Sequence, residues 1–335
     1  MRKKLVLMIM FVVLGICIGA CGNGTDDTAG NDGENSGEAS DISIASAGAA
    51  GTFYVMAAGF SDLLNNEHDH LNTVAEITGG SVENAKLIND HNVELAVMQM
   101  DVALNAFNGT DQFEEPIDMV ALLPMYPNLV QIVTLADSDI DTFSDLKGKT
   151  VSVGEPGSGV LATNEMLFKQ MGMSLDEDIK PEYLSFSETT NAFRNGDIDA
   201  AIVNTAAPAP FITDLETTHD VKFVSFSDDE IEKFTTDYEY FVKDVIPTDA
   251  YNSLEEDVQT FAVWIALTTN SDLPEDTAYD IVQSILENNE FLQDVHVVSE
   301  YVKLDNVENI KGIPFHSGAA KYYDEQEISY DESVE

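Results

Sequence analysis

Small residues beside a hydroxyl stand directly before a helical pattern at three places in this chain. They are Gly51 and Thr52, then Gly79, Gly80 and Ser81, then Gly157, Ser158 and Gly159 within "GEPGSG". A backbone without side chains lets amide N–H groups approach a ligand, and the first helical turn holds unpaired donors with a partial positive charge. Such loops can hold an anion without any arginine. The same residues also serve as ordinary caps, worth about 1 kcal/mol of helix stability each. Arg194 in "FRNGDIDA", the one arginine beyond Arg2, reads as a surface helix end.

Catalytic readings of these loops fail residue by residue. A hydrolase nucleophile elbow needs Gly-x-Ser-x-Gly, but Pro156 stands two residues before Ser158. "KGKT" at Lys147 to Thr150 echoes the end of a phosphate-binding loop, yet Phe143 occupies the place of its first glycine and a strand pattern follows. The glycines of "GEPGSG" also sit wrongly for a dinucleotide fingerprint. Of six histidines only His68 and His70 are close, in the polar stretch "NNEHDHLN", which reads as a surface loop and not a metal site. Carboxylates are so abundant that no catalytic pair stands out. The expectation is a binder with no cofactor and no metal.

The elements that must position these loops follow a repeated sentence. "ISIAS" is a strand and "FYVMAAGFSDLL" a helix; "LNTVAEIT" leads to "VENAKLIND"; "VELAVMQ" leads to "DVALNAF", which Asp101 would cap. Strands alternating with helices imply a mostly parallel sheet. The apolar runs "DMVALLPMY" and "NLVQIVTL" follow with no helix between them, so the chain there crosses from one sheet into another. A second strand–helix series begins at "TVSVG" and runs through "PEYLSF", "DIDAAIVN" and "VKFVSF"; "VQTFAVWIALTT" is the return crossing. Helical patterns at "PEDTAYDIVQSILENN" and "HSGAAKYYDEQ" close the chain. Two α/β lobes joined by two extended crossings make a clamshell, with a cleft where strand ends and helix starts converge. A pair of independent tandem domains is the alternative, excluded if the tail completes the first lobe.

The start of the chain reads differently. Arg2, Lys3 and Lys4 precede an apolar run of about fourteen residues, Leu5 to Ile18, and then small residues before Cys21, the layout of a secretory signal. "IGAC" resembles the bacterial lipobox, in which cleavage precedes a cysteine that carries lipid; an uncleaved membrane anchor is the alternative. The only thiols are Cys17 and Cys21, so no disulfide remains for the folded part. Residues 21–40 are Gly, Asn, Ser and acid, a disordered acidic tether. Without the signal, 61 acidic side chains face 12 basic ones, about 49 net negative charges. Nucleic acid and anionic membrane surfaces are poor partners for such a body, and its surface suits high salt or an alkaline medium.

At the loops named first, the chain resembles the TAXI-type solute-binding subunits of TRAP transporters. The matching stretches include "TFYVM", "TGGSVENAKLI", "VELAVMQMDVALNAF", "LPMYPNLVQIV", "DLKGKTVSVGEPGSG", "YLSFSETTNAFRNGDIDAAIV", "APAP" and "PFHSGAAKYY", in family order across about 290 residues. The resemblance implies a two-lobed α/β clamshell of the periplasmic-binding-protein type II kind. Lobe I would comprise residues 41–131 and 264–335, and lobe II residues 132–263, after a signal peptide at 1–20. It implies capture of a small carboxylate, glutamate, 2-oxoglutarate or a related amino acid, for a TRAP membrane permease. The protein would be a monomer, lipid-anchored through Cys21 to the outer face of the cell membrane. An ABC importer subunit and a secreted two-lobed enzyme are the competing functions.

Carried over residue by residue, the pattern places Thr52, Phe53, Tyr54, Gly80, Ser81, Gln99 and Asp101 at the ligand from lobe I, with Tyr126 and Pro127 near the crossing. Gly157, Ser158, Gly159, Asn204 and Pro208 face them from lobe II. Hydroxyls and amides would take the carboxylate. Asp101 would take an amino group or merely cap its helix, and Phe53 and Tyr54 would wall off water or pack in the core. Ala49, Phe53, Val160 and Ala206 stand where the family usually has polar or more permissive residues, which bears on the ligand's identity and not on binding itself.

Overall fold

The first lobe starts with the expected alternation. The computed structural model describes residues 40–331; the signal peptide, Cys21 and nearly all of the tether lie outside these residues. Strand β1 (Ser40–Ala45), helix α1 (Thr52–Glu67), strand β2 (Leu71–Glu76), helix α2 (Ser81–Asn89), strand β3 (Leu95–Gln99) and helix α3 (Met100–Asn108) follow in order. β1 lies between β2 and β3, parallel to both, with Ile44 beside Ala75 and Leu95. Every residue of β3, "LAVMQ", is buried, as a strand covered on both faces requires. Asp101 is not the cap of α3. The N-cap is Gln99, and Asp101 sits inside the first turn, because the helix begins two residues earlier than an Asp101 cap would place it.

Strand β4 (Val120–Leu135) has fourteen buried residues among sixteen. It runs antiparallel to β10 (Val258–Thr269), and both are unbroken strands belonging to two neighbourhoods at once. The first half of β10 pairs with β9 (Phe241–Ile246), from Val258 opposite Ile246 to Val263 opposite Phe241. Its second half pairs with β3, from Ile265 opposite Gln99 to Thr268 opposite Ala96. A register irregularity between Trp264 and Ala266 marks the exchange of partners. β4 makes the same exchange at Leu129, where pairing with β7 (Ala200–Thr205) begins; β8 (Val221–Val224) joins it from Ile132 onward. The expected passage between two sheets is therefore corrected: one ten-stranded sheet runs through both lobes.

The second lobe adds β5 (Thr150–Ser152), α4 (Gly159–Met171), β6 (Lys180–Glu182), α5 (Phe186–Asn195), α6 (Pro210–Glu216) and α7 (Asp228–Asp237). Ser185 and Ser227 open α5 and α7 with reciprocal capping boxes to Glu188 and Glu230. β9 is absent from the sequence reading because Lys243 and Asp244 interrupt its apolar pattern and Val242 is exposed, as suits an edge strand. Phe241 anchors it, with rings of Phe234 and Phe261 at 5.0 and 5.7 Å.

Helices α8 (Glu275–Glu287), α9 (Asn289–Val295) and α10 (Ser317–Glu325) return to the first lobe. Ile281, Ile285, Tyr322 and Tyr323 share one core with Ile42, Ile44, Phe60 and Leu64. Tyr323 donates its hydroxyl to the Leu122 carbonyl at 2.6 Å. The tail thus completes the lobe that the chain began, which excludes independent tandem domains. Among the described residues, no helix is long and apolar enough to cross a membrane.

Candidate functional site

Four helix starts converge on one cavity of about 520 Å³, part of it open to solvent, and it is lined from both lobes. Gly51, Thr52 and Phe53 enter from α1, and Gly80 and Ser81 from α2. Ser158 and Gly159 face them from α4, and Ser185 and Phe186 from α5. Gln99, Asn128, Asn204 and Thr205 come from β3, β4 and β7. The wall carries no lysine, arginine or histidine, and its one charged residue is Glu155. Burial, with repulsion from Glu188 and Glu83, raises that carboxyl above its ordinary range.

The four helix starts are not equivalent. Ser158 is the N-cap of α4; its hydroxyl accepts from the Leu161 amide at 3.1 Å and donates to the Glu155 carbonyl at 2.7 Å. Ser185 likewise caps α5. α2 begins at Gly80, which has no side chain to cap it, and the Val82 and Glu83 amides both donate across the cleft to the Gly157 carbonyl at 3.1 Å. α1 also begins at a glycine, Gly51, with no side-chain cap, and no residue of the opposite lobe bonds its first turn. The "GEPGSG" loop therefore spends its hydroxyl and one carbonyl on helix ends, whereas the start of α1 keeps its donors facing the cavity.

Three residues of the wall carry buried oxygens without a hydrogen-bond partner: Thr52 Oγ1, Asn128 Oδ1 and Asn204 Oδ1. Unpaired buried polar atoms cost about 1–3 kcal/mol each, so a site that leaves three of them is built to be completed. Both asparagine amides are already committed. Asn128 Nδ2 donates to the Asn204 carbonyl at 3.2 Å, and Asn204 Nδ2 donates to Thr163 Oγ1 at 3.1 Å. The free atoms are thus two acceptors and one hydroxyl.

Behind this wall a buried chain of hydrogen bonds ties the lobes together. Gln99 Nε2 donates to Asp101 Oδ1 and to Thr163 Oγ1, each at 3.2 Å, and Thr163 Oγ1 donates to Asp101 Oδ2 at 3.2 Å. Asp101 is fully buried, and desolvation pushes its carboxyl up to about 6 against the bonds it accepts. Gln99 reaches over Gly159, where an added Cβ would collide with the Gln99 side-chain amide and force it to shift. Gly51 also faces the other lobe: a Cβ added there would lie 3.2 Å from the Phe186 ring, which stacks on Phe211 at 4.5 Å.

Of the residues named from sequence, the fold brings Thr52, Phe53, Gly80, Ser81, Gln99, Ser158, Gly159 and Asn204 to the cavity wall. Tyr54, Asp101, Tyr126, Pro127, Gly157 and Pro208 lie off it. Asp101 stands behind Gln99, Gly157 turns to α2, and Tyr126 is buried in the first lobe's core with an unpartnered hydroxyl. Sequence reasoning missed Asn128, Glu155, Phe186 and Thr205. Asn128 did leave a signal, an amide inside the otherwise apolar run "ALLPMYPNLV".

Residues 44–326 match the NMT1-like family. Among solved structures the chain is similar to a binding protein component of an ABC phosphonate transporter from Pseudomonas aeruginosa, at 10% identity over 87% of this chain and 95% of that one, with a TM-score of 0.51. It is also similar to the alkanesulfonate-binding protein SsuA from Xanthomonas axonopodis pv. citri bound to MOPS, at 15% identity, 85% and 84% coverage and a TM-score of 0.47. The aliphatic sulphonate binding protein SsuA from Escherichia coli matches at 17% identity, 86% and 84% coverage and a TM-score of 0.46. The chain belongs to the NMT1-like family, and its two-lobed α/β fold is that of the solute-binding components of transport systems.

Proposed function

We propose that the protein is an extracytoplasmic solute-binding protein that captures a small carboxylate bearing N–H donors, an amino acid of about the size of glutamate. The carrying observation is the pairing, within one cavity, of the uncapped α1 start and Thr52 with the unpartnered acceptor oxygens of Asn128 and Asn204. A ligand carboxylate would sit at the Thr52 and Phe53 amides, with Gly80, Ser81, Ser158 and Gly159 shaping its surroundings. A ligand ammonium would satisfy Asn128 and Asn204, and Glu155 would favour its charge. A 2-oxo acid such as 2-oxoglutarate meets only the first half of this arrangement.

The test is a thermal-shift panel of amino acids and short dicarboxylates. A ligand at a hundred times its dissociation constant should add roughly 2.7 kcal/mol of stability. A panel in which dicarboxylates without an amino group stabilise best would reject the amino-acid reading, and turnover of any member would reject the binder. The resemblance described above supports a TRAP-type permease as partner, and the similarity to the Pseudomonas ABC transporter component favours an ABC importer as second reading. Uptake that persists without ATP hydrolysis but needs an ion gradient supports the first. Lipid attachment at Cys21 would hold lobes I and II at the outer face of the membrane; a Cys21→Ser chain that remains anchored and processed refutes it.

A further inference from the structure

Away from the cavity, the turn that ends α1 carries His68 and His70, and α8 carries Asp280 one helical turn before Ser284. We infer that His68, His70 and Asp280 form a binding site for a divalent transition-metal ion of the zinc class. One ligand atom from each of the three lies within 4.8 Å of the others. His70 Nε2 is 3.2 Å from Asp280 Oδ2, His68 Nε2 is 2.7 Å from Ser284 Oγ, and the two imidazoles meet edge to face at 5.1 Å.

Two imidazoles and one carboxylate are the donors that zinc, nickel and copper prefer over magnesium or calcium. Zinc holds such ligands at about 2.0–2.2 Å and leaves a fourth position for water. Donors at that distance around one tetrahedral ion stand about 3.4 Å from one another; His70 Nε2 and Asp280 Oδ2, at 3.2 Å, already do, and the His70 side chain, 55% exposed, has the freedom to adjust to the third donor. His68 is already oriented: the Ser284 hydroxyl holds its ring, its amide bonds the Leu64 carbonyl, and its carbonyl accepts from the Leu71 amide. The formal charge of −46 adds a field that concentrates cations at the surface. A bound ion would pin the end of α1 to α8, joining the beginning and the tail of the first lobe, and would leave the ligand cavity untouched.

The test uses the untagged full chain, stripped with a chelator and titrated with zinc chloride by calorimetry, with the melting temperature followed in parallel. One saturable equivalent and a higher melting temperature are expected. His70→Ala and the isosteric Asp280→Asn should each weaken binding by more than about tenfold, and Ser284→Ala by about tenfold, as outer-shell losses do. His219→Ala, which removes a half-buried histidine of the second lobe, should change nothing. Absence of a saturable site, or affinity unchanged in both His70→Ala and Asp280→Asn, overturns the inference.

Discussion

Thr52 and Ser158 are both hydroxyl residues at helix starts on the cavity wall, yet they are in opposite states. Thr52 Oγ1 is buried and unpartnered, whereas Ser158 Oγ is engaged as acceptor and donor. Thr52→Ala should therefore weaken ligand binding by about 0.5–3 kcal/mol, the range for a hydrogen bond to a charged group, with little loss of ligand-free stability. Ser158→Ala should do the reverse, lowering ligand-free stability by about 1 kcal/mol as a lost cap and changing affinity less. Calorimetric titration beside chemical denaturation of both variants separates the two; equal affinity losses would show that the hydroxyls are interchangeable. The sequence marks both positions as hydroxyls near glycine, which is why each is legible as a site. Which one is free depends on whether a third residue bonds it, and Glu155 and Leu161 reach Ser158 only through the local turn.

Among the elements, the repeated strand–helix order was readable because each amphipathic helix follows a buried strand, and the parallel pairing of β1 with β2 and β3 follows from it. The single sheet was not readable, because an apolar run such as β4 does not record which strands it will pair with along its length. The link between α3 and α4 was equally hidden. Asp101 looked like a cap, and only the fold brings Gln99 and Thr163 to it. Burial raises the Asp101 carboxyl to about 6, so the folded state holds its proton more tightly than the unfolded chain does. Its contribution falls as pH rises from the unfolded value of about 4 towards 6 and is constant above that. The stability of Asp101→Asn minus that of the parent should therefore grow between pH 4 and pH 7, by about 2–3 kcal/mol at most. Urea denaturation at both pH values measures it, and a difference independent of pH would mean that Asp101 is ionised throughout.

For the whole molecule, the proposed function requires a strongly acidic body to admit an acid. The cavity wall has no basic side chain, so long-range attraction cannot guide a carboxylate there, while helix-end amides act within about a turn and are little screened. Raising ionic strength should leave the association rate of an anionic ligand unchanged or increase it, the opposite of a basic, steered site. Stopped-flow association at low and high salt measures this, and a steep fall with salt would reveal an attractive cationic patch outside the wall.

The bond from the Gly157 carbonyl to the Val82 and Glu83 amides carries a mechanical meaning. Each of these groups would face water if the lobes parted, so each bond favours the closed jaws by about 0.5–1.5 kcal/mol. On the proposed reading, a captured solute adds to that hold, and its release requires Gly157 to part from the start of α2.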